Sequence, residues 1–186
     1  MWYDIEGIEE GGALLSRLAK VPVAILLSII IHELAHTVTA MILGVKVVGI
    51  AIISVLGGYT AVEVDLSSLG SLAVFMMLNA GVTANIIMAW LFSEVRGRSF
   101  WRYFSMTNSL ICFLNAIPAL FFYYGEPAGL EVWQPIIGFA AVNDGSQALY
   151  LFLERGDWLF FSIQLVYSLF LTIYAIYLFM KSERQG

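Results

Sequence analysis

The 186-residue chain is too apolar for a soluble globular protein. Hydrophobic residues make up 60% of it, charged residues 12%, and its mean hydropathy is +0.85, whereas soluble domains are about half apolar and about a quarter charged. The modest net charge of -5 and scattered basic residues exclude nucleic acid as a partner. The single cysteine, Cys112, excludes a disulfide framework or thiolate metal site within the chain. These features predict an integral, multi-pass protein of the cell membrane.

Long uncharged apolar runs predict the membrane spans, because a bilayer core about 30 Å thick is crossed by roughly 20 helical residues. The runs cover residues 21–43, 69–92, 103–124, 135–152 and 158–180. The fourth run is short and contains Asp144, so we expect a short or broken helix there. The first run is too long for a cleavable signal peptide, so we expect it to remain in the mature protein. The predicted fold class is an all-α polytopic bundle of about five transmembrane helices, with residues 1–186 forming a single membrane-embedded domain.

Residues 45–64, between the first two runs, predict a small β-hairpin. They are rich in Val and Ile, which favour strands, and are interrupted by Gly57 and Gly58, which fit a turn. The alternative is a plain connecting loop with some strand character. Bare strand edges cannot face lipid, so a hairpin here must lie at the interface or in a protein-lined cavity. Its edge near Gly57 and Gly58 is the expected site for binding an extended substrate segment.

The first apolar run contains the only two histidines of the chain, His32 and His36, with Glu33 between them. Residues four apart lie one above the other on a helix, so both imidazoles can reach one metal ion while Glu33 addresses its water. Zinc held in this way supplies hydroxide at neutral pH, and Glu33 would be the general base. Ionisable residues inside an apolar span are costly and typically functional. The pattern predicts a zinc metalloendopeptidase of the HExxH type with one Zn2+ per chain.

Two further polar residues within apolar runs are candidates for the same site. Asp144 is the leading candidate for the third zinc ligand, although an aspartate before Gly-Ser-Gln also suits a helix N-cap. Asn115 lies deep in the third run, where its amide can donate to a developing oxyanion or form an interhelical hydrogen bond. Both alternatives stay open for each residue.

Several segments resemble those of the site-2 proteases, intramembrane zinc metalloproteases that cut transmembrane substrates. Ile31-His-Glu-Leu-Ala-His36, followed by Leu43-Gly-Val-Lys-Val47, resembles the family's signature helix and its exit into a β-hairpin. Residues 80–85, AGVTAN, resemble its second core helix, with Val82 where proline is common. Residues 115–118, NAIP, resemble the NxxP element, and residues 143–145, NDG, resemble the LDG element; here 25 residues separate Pro118 from Asp144, whereas only a few do so in the family. The resemblance covers roughly residues 21–150, and residues 158–180 form an additional span.

This resemblance implies a fold, a set of roles and a set of partners. His32, His36 and Asp144 would bind zinc, Glu33 would be the general base, and Asn115 would assist the transition state. The substrate would be a transmembrane protein cut in or near its membrane segment, as in regulated intramembrane proteolysis. Besides this substrate and the lipid bilayer, a regulatory membrane partner or a second copy of the chain is expected to govern access.

Two other functions and both membrane orientations stay open. The His and carboxylate residues also suit an ion transporter or channel component, or an inactive zinc-binding scaffold, although binding alone does not need Glu33. With the amino terminus inside, most Lys and Arg residues fall in the cytoplasm. The family resemblance suggests the opposite sense, with the hairpin cytoplasmic.

A substitution at Asp144 separates its two roles. Asp144→Asn removes an anionic ligand but keeps a good N-cap side chain, so a ligand role predicts a loss of zinc affinity of at least about 10-fold. His32→Ala is expected to weaken zinc binding as well. Equilibrium dialysis against zinc measures both, and unchanged affinity in Asp144→Asn would leave only the capping role.

Overall fold

The computed structural model describes residues 6–54, 57–63, 68–95, 99–117 and 144–184. This part of the chain consists of five helices and one two-stranded antiparallel sheet. The helices are α1 (Glu6–Ile42), α2 (Ser71–Ser93), α3 (Ser99–Ala116), α4 (Asp144–Glu154) and α5 (Trp158–Glu183); the strands are β1 (Lys46–Ser54) and β2 (Gly57–Glu63). The predicted helical architecture, with a hairpin between the first two helices, is confirmed.

The observed helices differ from the predicted spans at their ends. Helix α1 begins at Glu6, well before the run that starts at residue 21, and α3 begins at Ser99 instead of 103. Hydropathy detects the apolar length that faces lipid, whereas helix ends depend on local hydrogen bonding. The later part of the third run and the early part of the fourth run lie within 118–143, outside the described residues.

The distribution of polar and apolar side chains is the reverse of that in a soluble protein. Among the described residues, Ala19–Ile42, Ser71–Ser93 and Trp158–Glu183 are long and apolar enough to cross a membrane. Large apolar side chains face outwards, including Val166 of α5, which is 68% exposed, whereas Asn85 and Gln164 are fully buried. Such an arrangement is typical of helices that pack together in lipid. These features indicate a membrane protein.

Helix α2 packs against each of the other four described helices, as α3 also does. With α3 and α5 it forms a core cluster of Val82, Ile86, Ala89, Cys112, Ala116, Leu171, Ala175 and Leu178. Its first half packs with α4 through Val74, Leu78, Ala148 and Phe152. A polar side chain on a buried face of α2 therefore needs a hydrogen-bond partner within the bundle.

A glycine corner turns the chain from α1 into β1. The amide of Val45 donates to the carbonyl of Ala40 at 2.9 Å, and the amide of Gly44 donates to Met41 at 3.1 Å. Gly44 has φ of +73°, the left-handed conformation that ends many helices and that glycine adopts without steric cost. Val45 packs against Ala40 in the same cluster. This corner directs both strands back along α1, which they contact.

The hairpin pairs Lys46 with Glu63 at its base, where their side chains form an exposed ion pair at 2.6 Å. At its other end Ser54 lies opposite Gly57, and the register is irregular between Ile52 and Ser54. Gly57 and Gly58 therefore begin β2 instead of forming the turn that the sequence suggested. Glycine is common at such irregular points of a strand.

A second glycine corner turns the chain from α4 into α5, and residues beside it bind to the start of α2. Gly156 has φ of +66°, and the carboxylate of Asp157 accepts hydrogen bonds from the Ser71 hydroxyl and the Phe160 amide. These two bonds lower the pKa of the Asp157 carboxyl group. Arg155 donates to a backbone carbonyl just before α2 at 2.7 Å. The carboxyl end of α4 is thus fixed at the amino end of α2.

Candidate metal centre

The two histidines of α1 direct the same ring nitrogen towards each other. His32 and His36 are one helical turn apart and are 8% and 9% exposed. Their Nε2 atoms are 3.1 Å apart. The predicted HExxH geometry, with both imidazoles on one face of a helix, is therefore present.

Helix α2 orients both rings through their other nitrogen. Nδ1 of His36 lies 2.8 Å from the backbone carbonyl of Met77, and Nδ1 of His32 lies 2.6 Å from Oδ1 of Asn85. Because a carbonyl oxygen only accepts hydrogen bonds, Nδ1 of each ring is the donor. In a neutral imidazole the other nitrogen, Nε2, then carries the lone pair.

This tautomer makes the pair suitable for a metal ion. The two Nε2 atoms lie 3.1 Å apart. Zinc binds imidazole nitrogen at about 2.0–2.1 Å in a tetrahedral arrangement, which puts two ligand nitrogens roughly 3.3 Å apart. The second ring nitrogen of a zinc-binding histidine typically donates to a carbonyl or carboxylate, as both Nδ1 atoms do here. The chemistry and spacing of the two rings thus fit zinc.

Gly81 of α2 lies close against both Nε2 atoms. A Cβ atom built on Gly81 would lie 2.4 Å from Nε2 of His32 and 2.5 Å from Nε2 of His36. Such distances are too short for non-bonded atoms, so any side chain here would displace the two rings. Only glycine therefore lets α2 pass this close to the histidine pair.

Glu33 is bonded to the hairpin through Thr60. Its side chain is almost fully buried, and the Thr60 hydroxyl on β2 lies 2.9 Å from Oε2 of Glu33 and 3.0 Å from its backbone oxygen. Thr37 also donates to that backbone oxygen at 2.9 Å. The Thr60 hydroxyl has one hydrogen to donate. Because a charged acceptor forms the stronger bond, the carboxylate of Glu33 is the preferred acceptor over its backbone oxygen. The hairpin thus fixes the orientation of the predicted general base.

Asp144, the predicted third ligand, is the first residue of α4, and its side chain lies outside the described part of the structure. Ala148, one turn after Asp144, packs in the same cluster as Leu78 of α2. Leu78 follows Met77, whose carbonyl orients His36. Among the side chains that the structure does describe, no group of three His, Cys, Asp or Glu residues is close enough to hold a metal ion.

The other predicted site residues are not brought to the histidines by a described contact. The side-chain amide of Asn115 donates to the carbonyl of Ile111 in its own helix at 2.9 Å, so its role at an oxyanion stays a prediction. Gly57 and Gly58 pair with β1 at the start of β2, and substrate binding there also stays a prediction.

Three contacts of this centre were not found from the sequence. The sequence did not single out Thr60 because it lies in a strand far from Glu33 in the chain. Asn85 appeared only in a motif resemblance, with no partner assigned. The contribution of Met77 is a backbone carbonyl, which leaves no trace in the residue type. Only the tertiary packing of α1, α2 and the hairpin reveals these partners.

No family profile matches this chain, and no curated protein matches its sequence. The resemblance to site-2 proteases therefore depends on the short motifs quoted above, and we infer function from the geometry of the metal centre.

Replacing Gly81 tests whether zinc binds at the two Nε2 atoms. Gly81→Ala puts a methyl group against both Nε2 atoms, so we expect zinc affinity to fall by at least about 100-fold, the upper end of the effect of residues around a metal site. Competition with a chromogenic chelator measures the affinity.

Gly70→Ala is the matched control for this experiment. Gly70 caps the same helix, has φ of -63°, and a Cβ atom there meets no atom within 4 Å. Zinc affinity equal to wild type in Gly70→Ala and reduced in Gly81→Ala is the expected result; equal affinity in both variants would contradict the metal position.

Proposed function

We propose that this protein is an intramembrane zinc metalloprotease of the site-2 protease type, which hydrolyses peptide bonds in or near transmembrane segments of membrane-protein substrates. The observation that carries the proposal is the orientation of His32 and His36. Both donate through Nδ1 and face each other through Nε2 at 3.1 Å, and Glu33 lies between them in the sequence. A scaffold that only binds zinc has no need for a carboxylate held in this position.

One zinc ion would be bound by His32 and His36 with Asp144 as the third ligand. The course of α4 supports Asp144: its carboxyl end is bonded to the start of α2 through Asp157 and Ser71, and it packs along the first half of α2. The start of α4 therefore points towards the middle of α2, where Gly81 lies. When bound, zinc supplies the Lewis acid that activates water for attack on a peptide carbonyl.

Glu33 acts in this proposal as the general base and carries a proton to the leaving amine. A general base must be held within hydrogen-bond distance of the proton that it takes. The bond from Thr60 to Oε2 at 2.9 Å supports such positioning, and it leaves Oε1 for the reacting water. Asn115 would stabilise the transition state from α3.

The membrane setting of the proposal is a polytopic bundle of about five helices in the cell membrane. The buried polar residues and exposed apolar residues of the helices support it. A substrate helix hides its carbonyl groups, so it must become extended before hydrolysis. The outer edge of the hairpin, including Gly57 and Gly58, would hold this extended segment by strand pairing. A regulatory membrane partner or a second copy of the chain would control access.

Glu33→Gln is the central test of catalysis. It keeps the size of the side chain but removes the base, so we expect cleavage of a single-span membrane peptide to fall by about 100- to 10,000-fold, with zinc content still near one per chain. Cleavage is followed by gel electrophoresis and zinc by elemental analysis of the same sample.

The outcomes separate the proposal from its rivals. Undiminished cleavage in Glu33→Gln would contradict the role of the base. A purified wild type that moves metal ions across vesicles and cleaves no peptide would favour a transporter. Zinc binding with neither activity would favour a scaffold.

Thr60→Val tests the hairpin contact with the base. Valine has the shape of threonine but donates no hydrogen bond, so the Glu33 carboxylate loses a charge-assisted bond. We expect kcat to fall roughly 10-fold, as a loss of about 1.4 kcal/mol predicts, with KM and zinc content unchanged. Thr60→Ser keeps the hydroxyl and should restore kcat. Equal activity in the valine and serine variants would contradict the positioning role.

A further inference from the structure

Three fully buried polar side chains, one from each of the first three helices, form a cluster behind His32. They are Ser28 of α1, Asn85 of α2 and Asn108 of α3, each 0% exposed. Buried amides in apolar surroundings must satisfy their hydrogen bonds with one another or with the backbone. The cluster therefore has a defined bonding pattern.

Backbone carbonyls fix the orientation of the Asn108 amide. Its Nδ2 lies 2.8 Å from the carbonyl of Phe104 and 2.8 Å from the Ser28 hydroxyl. The carbonyl only accepts, so the NH2 group of Asn108 must point at it. Oδ1 of Asn108 consequently points away from Phe104, towards Asn85.

The orientation of Asn108 in turn fixes that of Asn85. Nδ2 of Asn85 donates to Oδ1 of Asn108 at 2.8 Å and to the backbone carbonyl of Ser28 at 3.2 Å. Oδ1 of Asn85 is left to accept from Nδ1 of His32 at 2.6 Å. A flipped Asn85 amide would present NH2 to His32 and two oxygens would face each other at Asn108, which is costly for buried groups.

We propose that Asn108, acting through Asn85, is a positioning residue that holds His32 in the tautomer with its Nε2 lone pair directed at the metal. This inference depends on the proposed zinc centre. It adds to that centre a residue, Asn108, that does not contact the ion. A flipped Asn85 selects the opposite tautomer, in which Nε2 of His32 carries the hydrogen and cannot bind zinc. The position of α3 thus affects the metal affinity of His32 through the hydrogen bonds that lead from Phe104 to His32.

A second buried amide pair provides the control. Asn79 of α2 and Gln164 of α5 bond each other reciprocally at 2.7 Å and 3.0 Å, and Gln164 is fully buried. This pair stabilises the packing of two helices in the same way, but neither of its amides bonds a histidine. Gln164→Leu therefore removes a buried amide of matched type without changing the orientation of Asn85.

The experiment measures affinity for zinc and for Co2+ in full-length variants. In Asn108→Leu the Asn85 amide loses its 2.8 Å bond to Asn108 and keeps only the 3.2 Å bond to the Ser28 carbonyl. We therefore expect both affinities to fall about 10- to 100-fold and the visible spectrum of bound Co2+ to change. Adding Asn108→Leu to Asn85→Leu should cause no further loss, because Asn108 acts through Asn85. Gln164→Leu should bind both metals like wild type.

Nitrogen NMR of isotope-labelled histidine in the zinc-loaded wild type gives a test that needs no variant. The chain has only two histidines, so the spectrum is simple, and we expect hydrogen on Nδ1 and metal on Nε2 of His32. Unchanged affinity in Asn108→Leu or an equal loss in Gln164→Leu would each overturn the inference while leaving the zinc centre intact. Metal on Nδ1 of His32 would overturn both the inference and the proposed geometry of the centre. A wild type that binds neither metal would overturn the proposed zinc centre itself, and this inference with it.

Discussion

The structure depends on the need of two buried imidazoles for hydrogen-bond partners. Within a bundle of apolar helices, the buried Nδ1 of each histidine needs an acceptor on a neighbouring helix. The Met77 carbonyl and the Asn85 amide supply these acceptors at 2.8 Å and 2.6 Å. Both acceptors belong to α2, and they determine how α2 lies against α1. The lack of a side chain at Gly81 then allows the two helices to approach closely at the same level.

The same requirement explains how polar groups are distributed over the rest of the bundle. Asn79 pairs with Gln164, and Ser105 lies 2.8 Å from Ser182, so α5 is joined to α2 and to α3 by bonds between buried side chains. In lipid the hydrophobic effect contributes little to the association of helices. Hydrogen bonds between side chains and close packing therefore decide which helix surfaces meet. Asn79 and Asn85 are both buried and hydrogen-bonded to protein partners.

The sequence predicted the parts of this fold that depend on local patterns. Apolar length gave the helices, β-branched residues gave the hairpin, and the spacing of His32 and His36 gave their common face on α1. It did not predict that Thr60 reaches Glu33 or that Asn108 reaches Asn85, because these bonds join residues whose separation along the chain carries no periodic signal. The turn of the hairpin was misplaced at Gly57 for a related reason. A glycine pair also suits an irregular strand end, and only the register with β1 distinguishes the two.

The left-handed conformation of Gly44 has a consequence for a contact far from it. An L side chain at φ of +73° is strained, and a chain that continued as helix would carry the strands away beyond the end of α1. The reversal at this residue brings Thr60 beside Glu33, roughly three helical turns before the corner. The handedness of one backbone position thereby governs how the Glu33 carboxylate is oriented in the proposed metal centre.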